Sequence, residues 1–274
     1  MSPVVSIIVP HYQTPELVKL CLRSIRKFTV GIDYEVIVVD NASKDGKSVD
    51  YLRSVDWIRL IERKSVSPIG SIAHCEAVQI AFDAARAPYI LTAHTDTIPI
   101  RPDWLQYHLS PMQNDERIAA IGTDKLVLRS KVQEVFRVAE NVVMWWKQFR
   151  PVRLNNAKPY IRSHCAIYRR STLDEHQLRY DSFPKLTAGQ GLHHELERLG
   201  YECKLLDPRD VIKRVVHLNH ATEILLPELR AQCKTIHLWR GQHRIGRFFA
   251  RRETLDILED TSLDRSETSA RRAA

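Results

Sequence analysis

A chain of 274 residues has room for one large α/β core, or for a core of about 200 residues with a helical appendage, because single cores stop growing near 250 to 300 residues. Its 44% hydrophobic and 27% charged residues exclude a disordered chain, and no uncharged apolar run approaches the roughly 20 residues that a membrane helix needs. The net charge of +8 gathers in 125–170 and 230–252, a surface that attracts phosphate-bearing ligands, acidic membranes or nucleic acid without choosing among them. Five scattered cysteines form no CxxC pair, so the thiols are expected to stay reduced and to bind no zinc. With no charged-then-apolar leader before the first apolar run, a cytoplasmic protein is expected.

The first half alternates strand-like and helix-like segments. Val4 to Val9 is a β-branched apolar run closed by Pro10, and Thr14-Pro15-Glu16 reads as an N-cap, a proline in the first turn and an acidic start to a helix. Val18, Cys21, Leu22 and Ile25 lay one apolar stripe along that helix. Tyr34 to Val39 is a second strand, too continuously apolar for a half-exposed edge, and it ends in the turn chemistry of Asp40 to Gly46. A third strand is expected over Ile58 to Ile61, a helix over Ser71 to Ala85 and a fourth strand over Tyr89 to Ala93.

This βαβ pattern predicts a mostly parallel sheet, whose ligands bind beyond the carboxyl ends of the strands. Three polar clusters fall there: His11 to Thr14, Asp40 to Ser43, and His94 to Thr97. Further on, strands are expected over Arg117 to Gly122, Lys125 to Leu128, Ser163 to Tyr168, Cys203 to Asp207 and Val211 to Val216. Val132 to Phe149 is mixed in character and Gly191 to Leu199 is helical. A basic helical extension is expected over 222–260 and a disordered tail over 261–274.

The strings Ser6 to Gln13, Glu35 to Ser43 and Tyr89 to Leu105 together resemble family 2 glycosyltransferases, in that family's order and spacing. Ser163 to Arg170, Leu196 to Tyr201 and Val216 to His220 extend the resemblance more weakly. It implies a GT-A fold over 1–221 and transfer of a sugar from a UDP-, GDP- or dTDP-sugar to a hydroxyl acceptor, with inversion. It also implies Mn²⁺ or Mg²⁺, since hard divalent cations neutralise a departing diphosphate and take carboxylate oxygens.

Asp96 stands where the family's metal-binding Asp-x-Asp ends, so the resemblance makes it the metal ligand between Leu91 and Trp104; the bland alternative is a turn aspartate. His94 replaces the first aspartate of that motif, with Thr95 between, and these two are candidates for ribose or phosphate contact or for packing. Asp40 matches the aspartate that holds the nucleobase or ribose, with an Asx turn as its alternative, and Pro10 and His11 would line the base pocket. His74 opens the helix before the Asp96 strand, near the donor in related sequences. His217, with His220 as second choice, follows the last apolar strand where relatives return a histidine to the metal.

The family's catalytic carboxylate is missing, since its position falls on Ala188-Gly189. Asp181, His193, His194 and Glu195 are the nearby candidates for the base, of which His193 and His194 face different sides of a helix. Trp104 is expected to pack behind the metal loop, and Trp145-Trp146 to anchor a helix or to bind acceptor. The Trp239 to Arg252 segment suits either an anionic membrane surface or packing on its own domain or across a homodimer. Two other classes stay open: a degenerate, non-catalytic nucleotide-sugar-binding or scaffold protein, and a basic nucleic-acid-binding protein, for which no motif is legible.

Overall fold

The apolar runs Val4 to Val9, Tyr34 to Val39 and Tyr89 to Ala93 become inner strands of a sheet that has seven strands among the described residues. The computed structural model describes residues 2–67, 70–126, 158–183, 186–229 and 235–266. The strands are β1 Val5–His11, β2 Tyr34–Asp40, β3 Ile58–Glu62, β4 Tyr89–Ala93, β5 Thr97–Pro99, β6 Ile118–Gly122, β7 Cys165–Arg169, β8 Glu202–Leu205 and β9 Val215–His217. The large sheet runs β3-β2-β1-β4-β7-β6-β8, and β5 and β9 form a separate antiparallel pair. All neighbours in the large sheet are parallel except β7, which is antiparallel to β4 and to β6.

Every residue of β1 is buried, as expected for a strand covered by helices on both faces. Helix α1 (Pro15–Phe28) presses Val18, Cys21, Leu22 and Ile25 into one core layer, so the stripe read from the sequence holds. Helix α2 (Gly70–Ala84) covers the opposite face with Ala77, Val78, Ala81 and Phe82. The order of parallel strands reverses beside β1, which opens a crevice at the carboxyl ends of β1, β2 and β4.

Several local expectations change. Thr14 does not cap α1: at φ 57° and ψ 64° it leaves the extended conformation a capping residue needs, and its hydroxyl turns to the Tyr12 carbonyl at 3.5 Å. The expected strand over Val211 to Val216 is a short helix, Pro208–Val211, followed by β9; Asp207 caps that helix by accepting from Arg209 N at 2.8 Å, which an apolarity count overlooks. Among the described residues the basic extension holds three helices, Ala221–Leu225, Thr235–Phe249 and Arg252–Glu259. Its Ile224, Ile245, Phe248 and Ile257 share the core layer of β1 and α1.

Disorder does not begin at 261. Thr261–Asp264 is a 3₁₀ turn whose Asp264 pairs with the buried Arg23 of α1 and accepts from Tyr51 Oη at 2.9 Å, while Trp57 Nε1 donates to Leu263 O at 2.8 Å. Residues 267–274, the segment 132–149 with Trp145 and Trp146, and the end of the expected strand at Lys125 to Leu128 lie outside the described residues.

Candidate metal centre and donor cleft

Strand β4 ends at Ala93, and the chain turns through His94, Thr95 and Asp96 into β5. Two antiparallel ladders bring distant residues to this turn. β7 pairs Cys165 with Ala93, so His94 N donates to His164 O at 3.2 Å and Ser163 and His164 arrive alongside. β9 pairs His217 with Thr97, which carries the 217–221 loop over Asp96. Beneath, Cys21 of α1 donates its Sγ–H to the His94 and Thr97 carbonyls at 3.8 and 3.6 Å.

Asp96 is 5% exposed and held on three sides. Its carbonyl accepts from Leu218 N at 2.9 Å and its Oδ2 from Ala221 N at 3.2 Å. Its Oδ1 is buried and, among the described residues, makes no well-aligned hydrogen bond; its ion-pair neighbours are His217 Nε2 at 3.2 Å and His94 Nδ1 at 4.0 Å. Burial pushes the Asp96 carboxyl up, but the imidazoles of His217 and His94 and the Ala221 N–H more than offset it, so the group stays ionised well below the usual carboxylate range. Ligand atoms of His94, Asp96 and His217 lie within 4.8 Å of one another. A buried, charged oxygen flanked by two imidazoles suits a divalent cation.

Burial pulls down three of the surrounding histidines, His74, His94 and His164, and keeps them neutral. Burial, with His74 adding, pulls His94 down to about 3, and burial alone takes His74 to about 4. Ser163 Oγ bridges them, 3.2 Å from His94 Nε2 and 3.4 Å from His74 Nε2. His164 stacks on His217 with ring centres 4.4 Å apart and 7° between planes, and its Nε2 lies 3.1 Å from Thr123 Oγ1. His220 instead turns to Glu223, with Nδ1 2.9 Å from Oε2, so the cluster forms without its side chain.

In the crevice after β1 and β2, His11 Nδ1 meets Asp40 Oδ1 at 2.8 Å, and Ser43 donates to both Asp40 oxygens, from Oγ at 2.5 Å and from N at 3.0 Å. Asp40 is 2% exposed, and His11 Nε2 is buried without a partner. Pro10 lies in β1 beside Val39, and Thr95 is buried under the turn. Trp104 is buried, 1% exposed, and donates from Nε1 to Thr29 Oγ1 at 3.2 Å.

Three of the four candidate bases have a polar partner. Asp181 is held by Arg179 at 3.0 and 3.2 Å, and Glu195 by Arg198. His193 is buried, with Nδ1 accepting from Ile161 N at 3.4 Å and Nε2 3.5 Å from Glu197; His194 points to solvent. The missing carboxylate has a steric counterpart. A Cβ at Gly189 would lie 2.5 Å from Ile161 O and 3.1 Å from Ser163 N, so the Ala188–Arg198 helix meets the 161–163 segment through a bare backbone. Ser163, His164 and Arg244 were not singled out from the sequence. Arg244 donates to Leu218 O and Asn219 O, bracing the loop that covers Asp96. Strand pairing and helix packing carry those contacts, and spacing in the chain does not show them.

The model of the glycosyl transferase family 2 domain matches residues 6–177, well over half of the chain. The chain belongs to glycosyl transferase family 2. Among curated proteins, chondroitin synthase of Escherichia coli is 27% identical over 128 residues, 46% of this chain and 18% of that enzyme, so the chain spans about a fifth of that relative. Among solved structures, the mannosyltransferase PcManGT of Pyrobaculum calidifontis, in complex with GDP-Man and Mn²⁺, superposes with a TM-score of 0.58 at 20% identity, covering 94% of this chain and 68% of that one. That likeness, with the mostly parallel sheet flanked by helices, makes the fold GT-A. Among the described residues no helix is long and apolar enough to cross a membrane.

Proposed function

We propose that this family 2 member transfers a glycosyl group from a nucleoside-diphosphate sugar to a hydroxyl acceptor, with inversion, using a divalent cation held by Asp96 and His217. The observation that carries the reading is Asp96 Oδ1, buried and ionised, free of well-aligned hydrogen bonds among the described residues and 3.2 Å from His217 Nε2 where β4 leaves the sheet. A bound cation there would supply charge neutralisation for the departing diphosphate. Asp96 is aimed by the Leu218 and Ala221 amides, and His217 by the face of His164.

The nucleoside would lie along the loops after β1 and β2. Since both Asp40 oxygens are engaged, Asp40 acts there by fixing His11 and Ser43, and His11 Nε2 is the buried nitrogen left to meet the nucleoside. His74, His94 and Thr95 border the diphosphate side. Asp181, His193 and Glu195 stay candidates for the base, each needing release from its present partner. The exposed Trp239, Arg240 and Arg247 of the Thr235–Phe249 helix support contact with an anionic surface that carries the acceptor, which co-sedimentation with anionic and neutral vesicles tests.

The test is a thermal-shift panel of UDP-, GDP- and dTDP-sugars with and without Mn²⁺, joined to an assay for released nucleoside diphosphate. One donor class should raise the melting temperature only with the cation, and Asp96→Ala should remove the response. If no donor shifts the wild type, or the variant responds as the wild type does, the proposal fails. Donor binding without diphosphate release would favour a non-catalytic relative, for which the paired state of all three candidate bases is the supporting observation. The base is identified as the residue whose neutral variant loses turnover and keeps the donor shift.

A further inference from the structure

We infer that His94 is a third protein ligand, so that the centre is a two-imidazole, one-carboxylate site that prefers transition cations to Mg²⁺. The inference rests on the metal reading above and deepens it.

Each of the three side chains has an open atom directed at one point. Asp96 uses Oδ2 for Ala221 N and leaves Oδ1 free of well-aligned hydrogen bonds among the described residues. His94 sets Nε2 against Ser163 Oγ at 3.2 Å; a proton on that nitrogen leaves the Nδ1 lone pair toward Asp96, and a ligand histidine characteristically has its other ring nitrogen held in this way. His217 presents Nε2 to the same carboxylate oxygen while its ring is clamped against His164. Ligand atoms around one ion with bonds of about 2.1 Å stand about 3 to 4 Å apart. The present separations, within 4.8 Å, close by small rotations of the side chains.

The donor set then decides the cation. Mg²⁺ demands a near-octahedral oxygen shell and sheds water reluctantly, whereas imidazole suits the first-row transition ions. A paired-carboxylate motif at this turn would accept Mg²⁺ readily. His94 in its place exchanges one hard oxygen for a borderline nitrogen and removes one negative charge from the site.

The test uses the metal-stripped full chain and the ions alone. Calorimetric titration should show Mn²⁺ and Co²⁺ binding at least about tenfold more tightly than Mg²⁺, and His94→Asp should narrow that ratio. Pulsed electron paramagnetic resonance of the Mn²⁺ complex should show nitrogen couplings from two imidazoles in the wild type and from one in His94→Ala or His217→Ala. A single imidazole coupling in the wild type overturns the inference, as does a Mn²⁺ to Mg²⁺ ratio unchanged in His94→Asp. The wild-type coupling count depends on no variant folding. Turnover with a one-imidazole signal would sink this inference and leave the transferase reading standing, while a two-imidazole centre without turnover would do the reverse.

Discussion

Replacing Asp96 by Asn separates the charge of this residue from its shape. The amide keeps an oxygen that can accept from Ala221 N, now 3.2 Å away, and leaves the Leu218 N to Asp96 O bond untouched. What disappears is the ionised oxygen 3.2 Å from His217 Nε2. A hydrogen bond to a charged acceptor exceeds a neutral one by about 1 kcal/mol, and that bounds the loss of stability in the metal-free protein. The cation-bound protein behaves differently. A ligand at one hundred times its dissociation constant stabilises the folded state by about 2.7 kcal/mol. In a chain of this size each kcal/mol moves the melting temperature by about 2 to 4 °C, so saturating Mn²⁺ should raise the wild type by roughly 5 to 10 °C. Asp96→Asn should melt within about 4 °C of the wild type in chelator and show no rise with Mn²⁺. Differential scanning calorimetry with paired chelator and Mn²⁺ samples measures both numbers. An undiminished rise in the variant would refute the assignment of Asp96 as a ligand; a collapse of the metal-free variant would refute the claim that its structural bonds survive.

Acid should weaken the metal-free protein well before ordinary carboxylates titrate. Burial holds His74 and His108 at about 4, so between pH 6.5 and 4 the unfolded chain takes up protons that the native state refuses, and stability falls as pH falls through that window. Urea midpoints across this range should show the slope, and His108→Gln should flatten it. Arg244→Ala should weaken Mn²⁺ binding about tenfold by freeing the Leu218 and Asn219 carbonyls, read by titration calorimetry, and Arg244→Lys should restore part of it. Asp264→Ala strands the buried Arg23 guanidinium, so chemical denaturation should show a loss of about 3 kcal/mol with Mn²⁺ affinity unchanged.

The local order of this protein is written in its sequence because β-branched runs, proline and glycine act over a few residues. Val5–His11, Tyr34–Asp40 and Tyr89–Ala93 need both faces covered, and the amphipathic stripe of Pro15–Phe28 covers one of them. These elements alone imply a parallel sheet with its ligand loops at the ends of β1, β2 and β4, and they place Asp96 and His94 there. Resemblance pointed to His74 and His217 as further residues near that turn. The sequence misled where polarity and geometry compete: Thr14 has capping chemistry in a left-handed backbone, and the polar residues after 260 looked unstructured although Asp264 answers a buried arginine.

Only the tertiary structure decided how the site is assembled. Antiparallel pairing of β7 with β4 sets His164 and Ser163 beside His94, although about seventy residues separate them in the chain. A three-residue ladder between β5 and β9 brings His217 onto Asp96 and turns His220 away toward Glu223. The same packing satisfies both oxygens of Asp40 from inside the protein. Residue types fix what each side chain can bind. Strand register, set by burial of whole faces over long sequence separations, fixes which of them meet at one point.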